Sequence, residues 1–413
     1  MKYLILSAFF LITSLSFASI EDRCGDGYLE ELNGRYILHV EGSAYSRGFQ
    51  HGVLLKEKIQ RNISRFIESD MFTQDHLKRV VFFKKNIPLL LEHTSSCIKD
   101  EIQGLSDGSG IDINKLYALN LFPELFHCTG IVVSDDATEN KDLFHVRILD
   151  YRAGLGLQDT AVLMVSKPDD KFANLNVSYA GFIGCVTGMN EKGIALGEVG
   201  GLGYDYLDGV PMSFLMKEAL ENSKCINCAK KIFETNKRTG EYYYIVSDGK
   251  TNKACGVYAT NSQIHFIEPG SKYTILAPKE LPKHYKKDGA DDKFFLTDYQ
   301  ADCKKGRASI YDAKGSLIAN FFHQPANTLI VTGFFKPERY SEIYSDIQNS
   351  FGNINTLTLK KMLNAKTSSD SNLHNAIFYP KELKVWISHA KSENEPAYSQ
   401  PYEVYNLQEL LGK

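Results

Sequence analysis

The chain has 413 residues, 43% of them hydrophobic and 23% charged, a composition typical of a globular protein with a substantial core. Its formal net charge of −3 provides no electrostatic basis for binding nucleic acid or an anionic membrane surface, so we expect no nucleic-acid partner. The length fits two or three average domains or one large enzyme domain.

The N-terminal residues 1–18 are predicted to be a signal peptide. Lys2 supplies a positive charge, residues 3–15 are mostly apolar, and Ser16-Phe-Ala18 places small residues at the cleavage positions. This apolar run is short for a membrane span, and no later run reaches the required length, so no transmembrane anchor is expected. An uncleaved anchor is the alternative. We therefore expect an exported protein, either secreted, periplasmic or in a lysosomal-type lumen.

Residues 19–127 are predicted to form a mostly helical segment, called the leader here. A strand is expected at 35–40, followed by helices at 46–67, 72–91 and 98–105, where apolar residues recur with helical spacing. Asp107-Gly-Ser-Gly110 interrupts the pattern, because glycine and serine favour turns.

From residue 128 onward the pattern changes to short β runs interrupted by helices, which indicates a layered α+β domain over 128–413. Residues 262–324 are polar and poorly periodic, and they are predicted to be an insertion over the scaffold. The predicted strands are 128–134, 143–149, 160–166, 174–180, 193–199, 241–247, 373–378 and 383–388, and the predicted helices are 211–222, 229–235 and 357–363.

Eight cysteines fit disulfides in an oxidising compartment, but their pairing cannot be deduced from the sequence. Cys225-Ile-Asn-Cys228 indicates either a local disulfide or two core thiols, and the spacing of cysteines and histidines does not favour zinc. We expect no metal and no organic cofactor. Asn62 and Asn176 begin Asn-x-Ser sequons, which matter only in a host that glycosylates exported proteins.

A predicted hairpin brings a thiol, a guanidinium and a carboxylate together. Its strands begin at Cys128 and end at Asp150, and a polar turn over 135–142 separates them. Paired positions in antiparallel strands have a constant index sum, so Cys128 is expected opposite 147–149, close to Arg147 and Asp150. This grouping is typical of a nucleophilic site. The alternatives are a buried or disulfide-bonded Cys128 and a surface ion pair.

The chain resembles the N-terminal-nucleophile (Ntn) hydrolases at this hairpin. A Cys-Thr pair starts one strand, and Arg147-Ile-Leu-Asp150 follows on the next. The resemblance is to the autoprocessing cysteine acyltransferase and choloylglycine-hydrolase-like group, and it covers most of the chain. Further segments that resemble this group are 41–52, 101–111, 118–124, 181–194, 371–378 and 384–388.

The resemblance implies a four-layer αββα sandwich preceded by the mostly helical leader. It also implies a precursor that cuts itself between His127 and Cys128, leaving the new α-amino group as the base for the thiol. Asp150 would orient that amino group, and Arg147 would favour the thiolate. Asn190 would donate to the oxyanion of the intermediate, although its Met-Asn-Glu-Lys-Gly context equally fits a plain turn.

Four more residues are predicted to border the substrate pocket. His145 shares a strand face with Arg147, and Tyr204 follows a glycine-rich run. His374 and Asn375 are candidates for substrate contact, with a structural role at the strand as the alternative. One departure concerns Gly333, which stands where the acyltransferase branch has an oxyanion-hole asparagine.

The predicted function is cleavage or transfer of acyl groups of linear amides through a thioester on Cys128. The substrate would be a small acyl amide or a lipid, and the two fragments of the precursor would stay associated. A phospholipase-B-like ester hydrolase on the same scaffold is one alternative. The other is a non-catalytic binding protein of this fold, which Gly333 favours.

Overall fold

The structure is a computed structural model that describes residues 19–32, 34–68, 85–121, 127–151, 153–200, 207–271, 308–311, 317–321, 324–332 and 337–412. The predicted signal peptide, Tyr204, Gly333 and most of the predicted insertion lie outside these ranges. Within them, no helix is long and apolar enough to cross a membrane.

The first sheet has ten strands in the order β1-β2-β3-β6-β7-β8-β9-β10-β11-β12. The leader supplies β1 to β3, and β3 pairs in parallel with β6, whereas the other neighbouring strands pair antiparallel. The strands are β1 Ser19–Cys24, β2 Gly27–Leu32, β3 Arg35–Gly42, β6 Ala161–Pro168, β7 Asn174–Tyr179, β8 Thr187–Asn190, β9 Ile194–Gly200, β10 Tyr242–Asp248, β11 Lys253–Ala259 and β12 Ile264–Ile267.

The second sheet has eight strands in the order β13-β14-β15-β4-β5-β16-β17-β18, and all of its neighbouring strands pair antiparallel. The strands are β4 His127–Asp135, β5 Lys141–Asp150, β13 Ala308–Tyr311, β14 Leu317–Phe321, β15 Thr328–Thr332, β16 Asn372–Tyr379, β17 Lys384–His389 and β18 Glu403–Asn406.

Helices cover the outer faces of both sheets. A large apolar cluster joins the leader helices, α5 and α6 to the first sheet, while α7 and α8 pack on the second. Residues 85–92 are also helical. The labelled helices are α1 Ala44–Leu54, α2 Lys56–Phe66, α3 Ser96–Ser109, α4 Ile113–Leu121, α5 Met212–Asn222, α6 Ile226–Thr235, α7 Pro337–Ser350, α8 Thr356–Met362 and α9 Leu407–Leu411.

The two sheets pack face to face, and glycines let them approach closely. A Cβ on Gly130 of β4 would lie 2.6 Å from Cγ2 of Ile245 on β10. A third apolar cluster lies between the sheets, with Val177 and Ala195 from the first and Ala376 and Phe378 from the second. The order of layers is therefore helix, sheet, sheet, helix, and the predicted αββα sandwich is confirmed.

Helices α1 and α3 of the leader cross with almost no space between their backbones. A Cβ on Gly48 of α1 would collide with the carbonyl of Glu101, and one on Gly104 of α3 would collide with the carbonyl of Tyr45. Because any side chain there would separate the helices, these glycines fix how the leader packs on itself.

Buried charges join the leader to the rest of the chain. Arg47 of α1 lies 3.0 Å from Glu101 of α3, and Lys217 of α5 lies 3.1 Å from Glu101 and 2.8 Å from Glu221. Lys171 lies 2.8 Å from Glu221. Charges removed from water in this way need such partners, so the network fixes the leader on the first sheet.

Three sequence-based expectations about elements differ from the structure. The helix expected to end before Asp107-Gly-Ser-Gly110 continues as α3 to Ser109. The helix predicted over 46–67 is two helices that meet at Leu55, which has a non-helical backbone. The described parts of 262–324 include β12, β13 and β14, which extend the edges of both sheets.

Both sequon asparagines are buried, and this leads to a testable prediction. Asn62 and Asn176 are 0% and 2% exposed, and each side-chain amide donates to a backbone carbonyl. A glycan on either amide nitrogen would have no path to solvent. We expect protein folded in a glycosylating host to carry no N-glycan at these sites. A mass decrease after treatment with an N-glycosidase would contradict this.

Candidate active site

The hairpin that carries the predicted nucleophile forms as expected. Cys128 of β4 pairs with Leu149 of β5, and Gly130 pairs with Arg147. The register predicted from the constant index sum is therefore confirmed. His127, the residue before the predicted cut, pairs with Asp150 across the hairpin.

The Cys128 side chain is fully buried between the two sheets. Its Sγ lies 3.8 Å from Oε2 of Glu198, which belongs to β9 of the first sheet. Burial raises the pKa of the Cys128 thiol to about 12; the Arg147 guanidinium opposes this rise, and the Glu198 carboxylate adds to it. In the intact chain Cys128 is thus held as a thiol.

Arg147 and Glu198 form a buried ion pair next to the sulfur. The Arg147 Nη2 atom lies 3.1 Å from Oε2 of Glu198, and both side chains have no solvent exposure. Gly197 makes room for the guanidinium, since a Cβ there would lie 2.8 Å from Cδ of Arg147. The pair places one positive and one negative charge beside the thiol in a dry environment.

Asp150 is fixed from three sides. Its Oδ2 lies 2.6 Å from Nη1 of Arg339 on α7, and its Oδ1 accepts hydrogen bonds from the Ser369 backbone N–H and the Asn372 amide. Arg339 also donates to Oγ1 of Thr129, the residue after the nucleophile. Asp150 and Arg339 therefore hold the start of β4 from the helical side of the second sheet.

Asn190 is directed away from the nucleophile. Its Nδ2 donates to the carbonyls of Leu220 and Ser223, both at 2.7 Å, and its Oδ1 accepts from the N–H groups of Lys192 and Ile194. Because both amide hydrogens are engaged, this conformation offers none to an oxyanion. The turn interpretation accounts for these contacts, whereas the expectation of an amide in the cleft does not.

The predicted substrate-contact residues are also engaged within the protein. His145 hydrogen-bonds to Ser247 at 2.8 Å, and burial lowers its pKa to about 3. His374 hydrogen-bonds to Tyr179 through Nδ1 and to Thr187 through Nε2. Asn375 accepts a hydrogen bond from Asn372. Tyr204, the fourth candidate, lies outside the described residues, as does Gly333.

Sequence reasoning missed Glu198 and Arg339. Glu198 lies 70 positions after Cys128 in sequence, and Arg339 lies on a helix after the undescribed stretch 333–336. A charged residue inside an otherwise apolar strand was the available signal for Glu198, because such residues are almost never buried without a partner. Arg339 had no comparable local signal.

The cysteines and acidic residues give no indication of a metal centre. Across the described ranges, no group of three or more His, Cys, Asp or Glu side chains is arranged to hold a metal ion. Cys225 and Cys228 form a disulfide at the start of α6, which matches the local-disulfide interpretation. Cys128 is a free thiol.

Known proteins similar to this chain include dcd1B of Dictyostelium discoideum, 27% identical over 287 residues, which cover 62% of this chain and 56% of that protein. Acid ceramidase of Heterocephalus glaber is 25% identical over 197 residues, covering 41% of this chain and 49% of the relative. The chain thus spans about half the length of the curated relatives it matches.

Among solved structures, a Caenorhabditis elegans orthologue of N-acylethanolamine-hydrolyzing acid amidase has a TM-score of 0.42 and 13% identity. The match covers 67% of this chain and all of that one. No protein-family model matches the chain. The αββα layers match the fold that the resemblance to N-terminal-nucleophile hydrolases implies, and the chain is similar in sequence to acid ceramidases.

Proposed function

We propose that this protein is an exported, autoprocessing amidase that cleaves or transfers acyl groups of linear amides through a thioester on Cys128. The observation that carries the proposal is the position of Cys128 at the start of β4. The Arg147–Glu198 pair lies beside it, and the Asp150–Arg339 pair lies behind it. Amide hydrolysis is also the activity named for the amidase similar in structure.

The cut that activates the enzyme is intramolecular in this proposal. The Cys128 thiol attacks the carbonyl carbon of His127, and the acyl group moves from nitrogen to sulfur. Water then attacks this thioester, which leaves a carboxylate on His127 and a free α-amino group on Cys128. Asp150 pairs with His127 across the hairpin, so its carboxylate can accept a hydrogen bond from the new ammonium group.

The mature site then runs two acyl transfers. The α-amino group, with an ordinary pKa near 8, takes the thiol proton, and the thiolate attacks the substrate carbonyl. The amine product leaves with that proton, and the acyl group remains on sulfur. Water, or a second amine, takes the acyl group and restores the thiol. Arg147 favours the thiolate through its charge, which opposes the effect of burial on the pKa of Cys128.

The substrate class proposed is an N-acyl amide, with lipid amides included. Ceramide, named in the acid ceramidases, and N-acylethanolamine, named in the structural relative, are both amides of an acyl chain.

The first test is denaturing mass analysis with N-terminal sequencing of the purified protein. We expect two fragments, the larger one beginning Cys-Thr-Gly-Ile, and a single uncut chain for Cys128→Ala, because the variant has no sulfur to attack His127. Cys255→Ala, which removes another buried free thiol, is the control and should be cut as wild type.

Amide hydrolysis is then measured on a panel of N-acyl amides and phospholipids. Amide turnover that depends on Cys128 supports the proposal, whereas activity retained by Cys128→Ala would overturn it. An uncut, inactive wild-type chain would instead favour a binding protein of this fold, the alternative suggested by Gly333.

A further inference from the structure

A buried loop near the nucleophile is held by side chains of the leader. The loop comprises residues 180–186, between β7 and β8, and all seven residues are buried. A loop usually runs over the surface, because its backbone N–H and C=O groups need hydrogen-bond partners. Side chains supply many of the partners of this loop.

Three leader residues supply four of these hydrogen bonds. Asn62 donates to the carbonyl of Ala180 at 2.8 Å, and Asn120 donates to that of Gly181 at 2.9 Å. The Gly181 N–H donates to Nε2 of His51 at 2.9 Å. Asn120 Oδ1 also accepts a hydrogen bond from the Ile183 N–H at 2.8 Å.

The three leader side chains are themselves fixed. Asn62, Asn120 and His51 are at most 1% exposed. Asn62 Oδ1 accepts a hydrogen bond from Thr160 at 3.0 Å, so both ends of its amide are engaged. His51 accepts through Nε2 and is therefore neutral; burial lowers its pKa to about 3. His51 Nε2 therefore remains a hydrogen-bond acceptor in mildly acidic solution.

Both ends of the loop reach the active site. At its C-terminal end, the carbonyl of Val186 accepts the backbone N–H of Glu198 at 3.0 Å, and Glu198 contacts Cys128 and Arg147. At its N-terminal end, burial raises the pKa of Tyr179, and the Arg147 guanidinium opposes that rise. A shift of the loop would therefore move both Glu198 and Tyr179.

We propose that Asn62, His51 and Asn120 are positioning residues, through which the leader holds the 180–186 loop and thereby sets Glu198 and Tyr179 around Cys128. This inference rests on the proposed function, because it makes the leader a working part of the mature amidase. The leader then contributes to turnover without touching the substrate.

The test compares Asn62→Ala with Ser64→Ala. Both substitutions abolish the Asn62-Ile-Ser64 sequon, but only the first removes the hydrogen bond to the loop; Ser64 is exposed. In cut, folded protein we expect Asn62→Ala to lower kcat about 10- to 100-fold with KM within about twofold, since small misplacements of catalytic groups cost rates of this order. Ser64→Ala should match wild type. Equal kcat values for Asn62→Ala and wild type would overturn the proposal.

A second measurement tests the proposal even if the wild type is inactive or the Asn62→Ala variant fails to fold. Hydrogen exchange is followed at the Gly181 and Ile183 amides in wild type, Ser64→Ala and Thr160→Val. The last change keeps the shape of the side chain but removes the hydroxyl, which donates to Asn62 Oδ1 and to the Leu157 carbonyl. Faster exchange at these amides in Thr160→Val alone supports the positioning role. Unchanged exchange overturns it. An inactive, uncut wild type would count against the proposed function alone.

Discussion

Replacing Arg147 by methionine is expected to lower the free energy of unfolding by about 3–5 kcal/mol and to abolish turnover. The stability loss arises because the Glu198 carboxylate loses its Arg147 partner in a site where both side chains have no solvent exposure. The activity loss arises because Arg147 is the charge that opposes the rise in the pKa of Cys128. Chemical denaturation and an amide assay measure the two effects.

The double variant Arg147→Met/Glu198→Gln separates these two effects. With neither charge present, most of the stability should return, since buried ion pairs contribute little beyond a well-packed neutral pair. Activity should stay absent, because the thiolate has lost the guanidinium that favours it. If the double variant regained activity along with stability, Arg147 would be a structural residue only.

Stability is expected to fall as the pH drops from about 6.5 towards 4. Burial lowers the pKa of His51 and His145 to about 3, and it lowers the pKa of His374 and His389 well below the ordinary value near 6.5. Below pH 6.5 the unfolded chain binds protons that the folded chain does not. His51 and His145 then each cost about 2 kcal/mol at pH 5, and His374 and His389 act in the same direction.

Denaturation midpoints at pH 7.5, 6.0 and 5.0 test this, with His389→Leu as the matched variant. Among the residues that the structure describes, neither ring nitrogen of His389 has a hydrogen-bond partner, so leucine removes a titrating group without breaking a hydrogen bond to any of them. We expect the variant to lose less stability between pH 7.5 and 5.0 than wild type. Stability that is constant over this range would contradict the assignment of buried neutral histidines.

The sequence predicted the parts of the site that are close along the chain. Cys128, Arg147 and Asp150 belong to one hairpin, whose pairing follows from a short turn and the constant index sum. Glu198 and Arg339 come from another sheet and from a helix, and their approach to the hairpin depends on how whole layers pack. Neither a local pattern nor a spacing encodes that packing.

Asn190 shows a different limit of sequence-based prediction. An Asn in a Met-Asn-Glu-Lys-Gly turn fits both an oxyanion donor and a residue that caps its own turn, since both uses need the same amide. Which of the two uses applies depends on the carbonyls near the amide. Here they are those of Leu220 in α5 and of Ser223, the residue after this helix. Only the folded chain shows them.

The leader strands also give the uncut chain a role in assembling the first sheet. Strand β3 joins the first sheet through its parallel pairing with β6, so the sheet is complete only when the leader is in place. If the leader and the remainder of the chain were made as separate polypeptides, this pairing would be bimolecular. It would lack the high effective concentration that a covalent tether provides. If the proposed cut is made, the bond between His127 and Cys128 serves assembly and is dispensable once the sheet has formed.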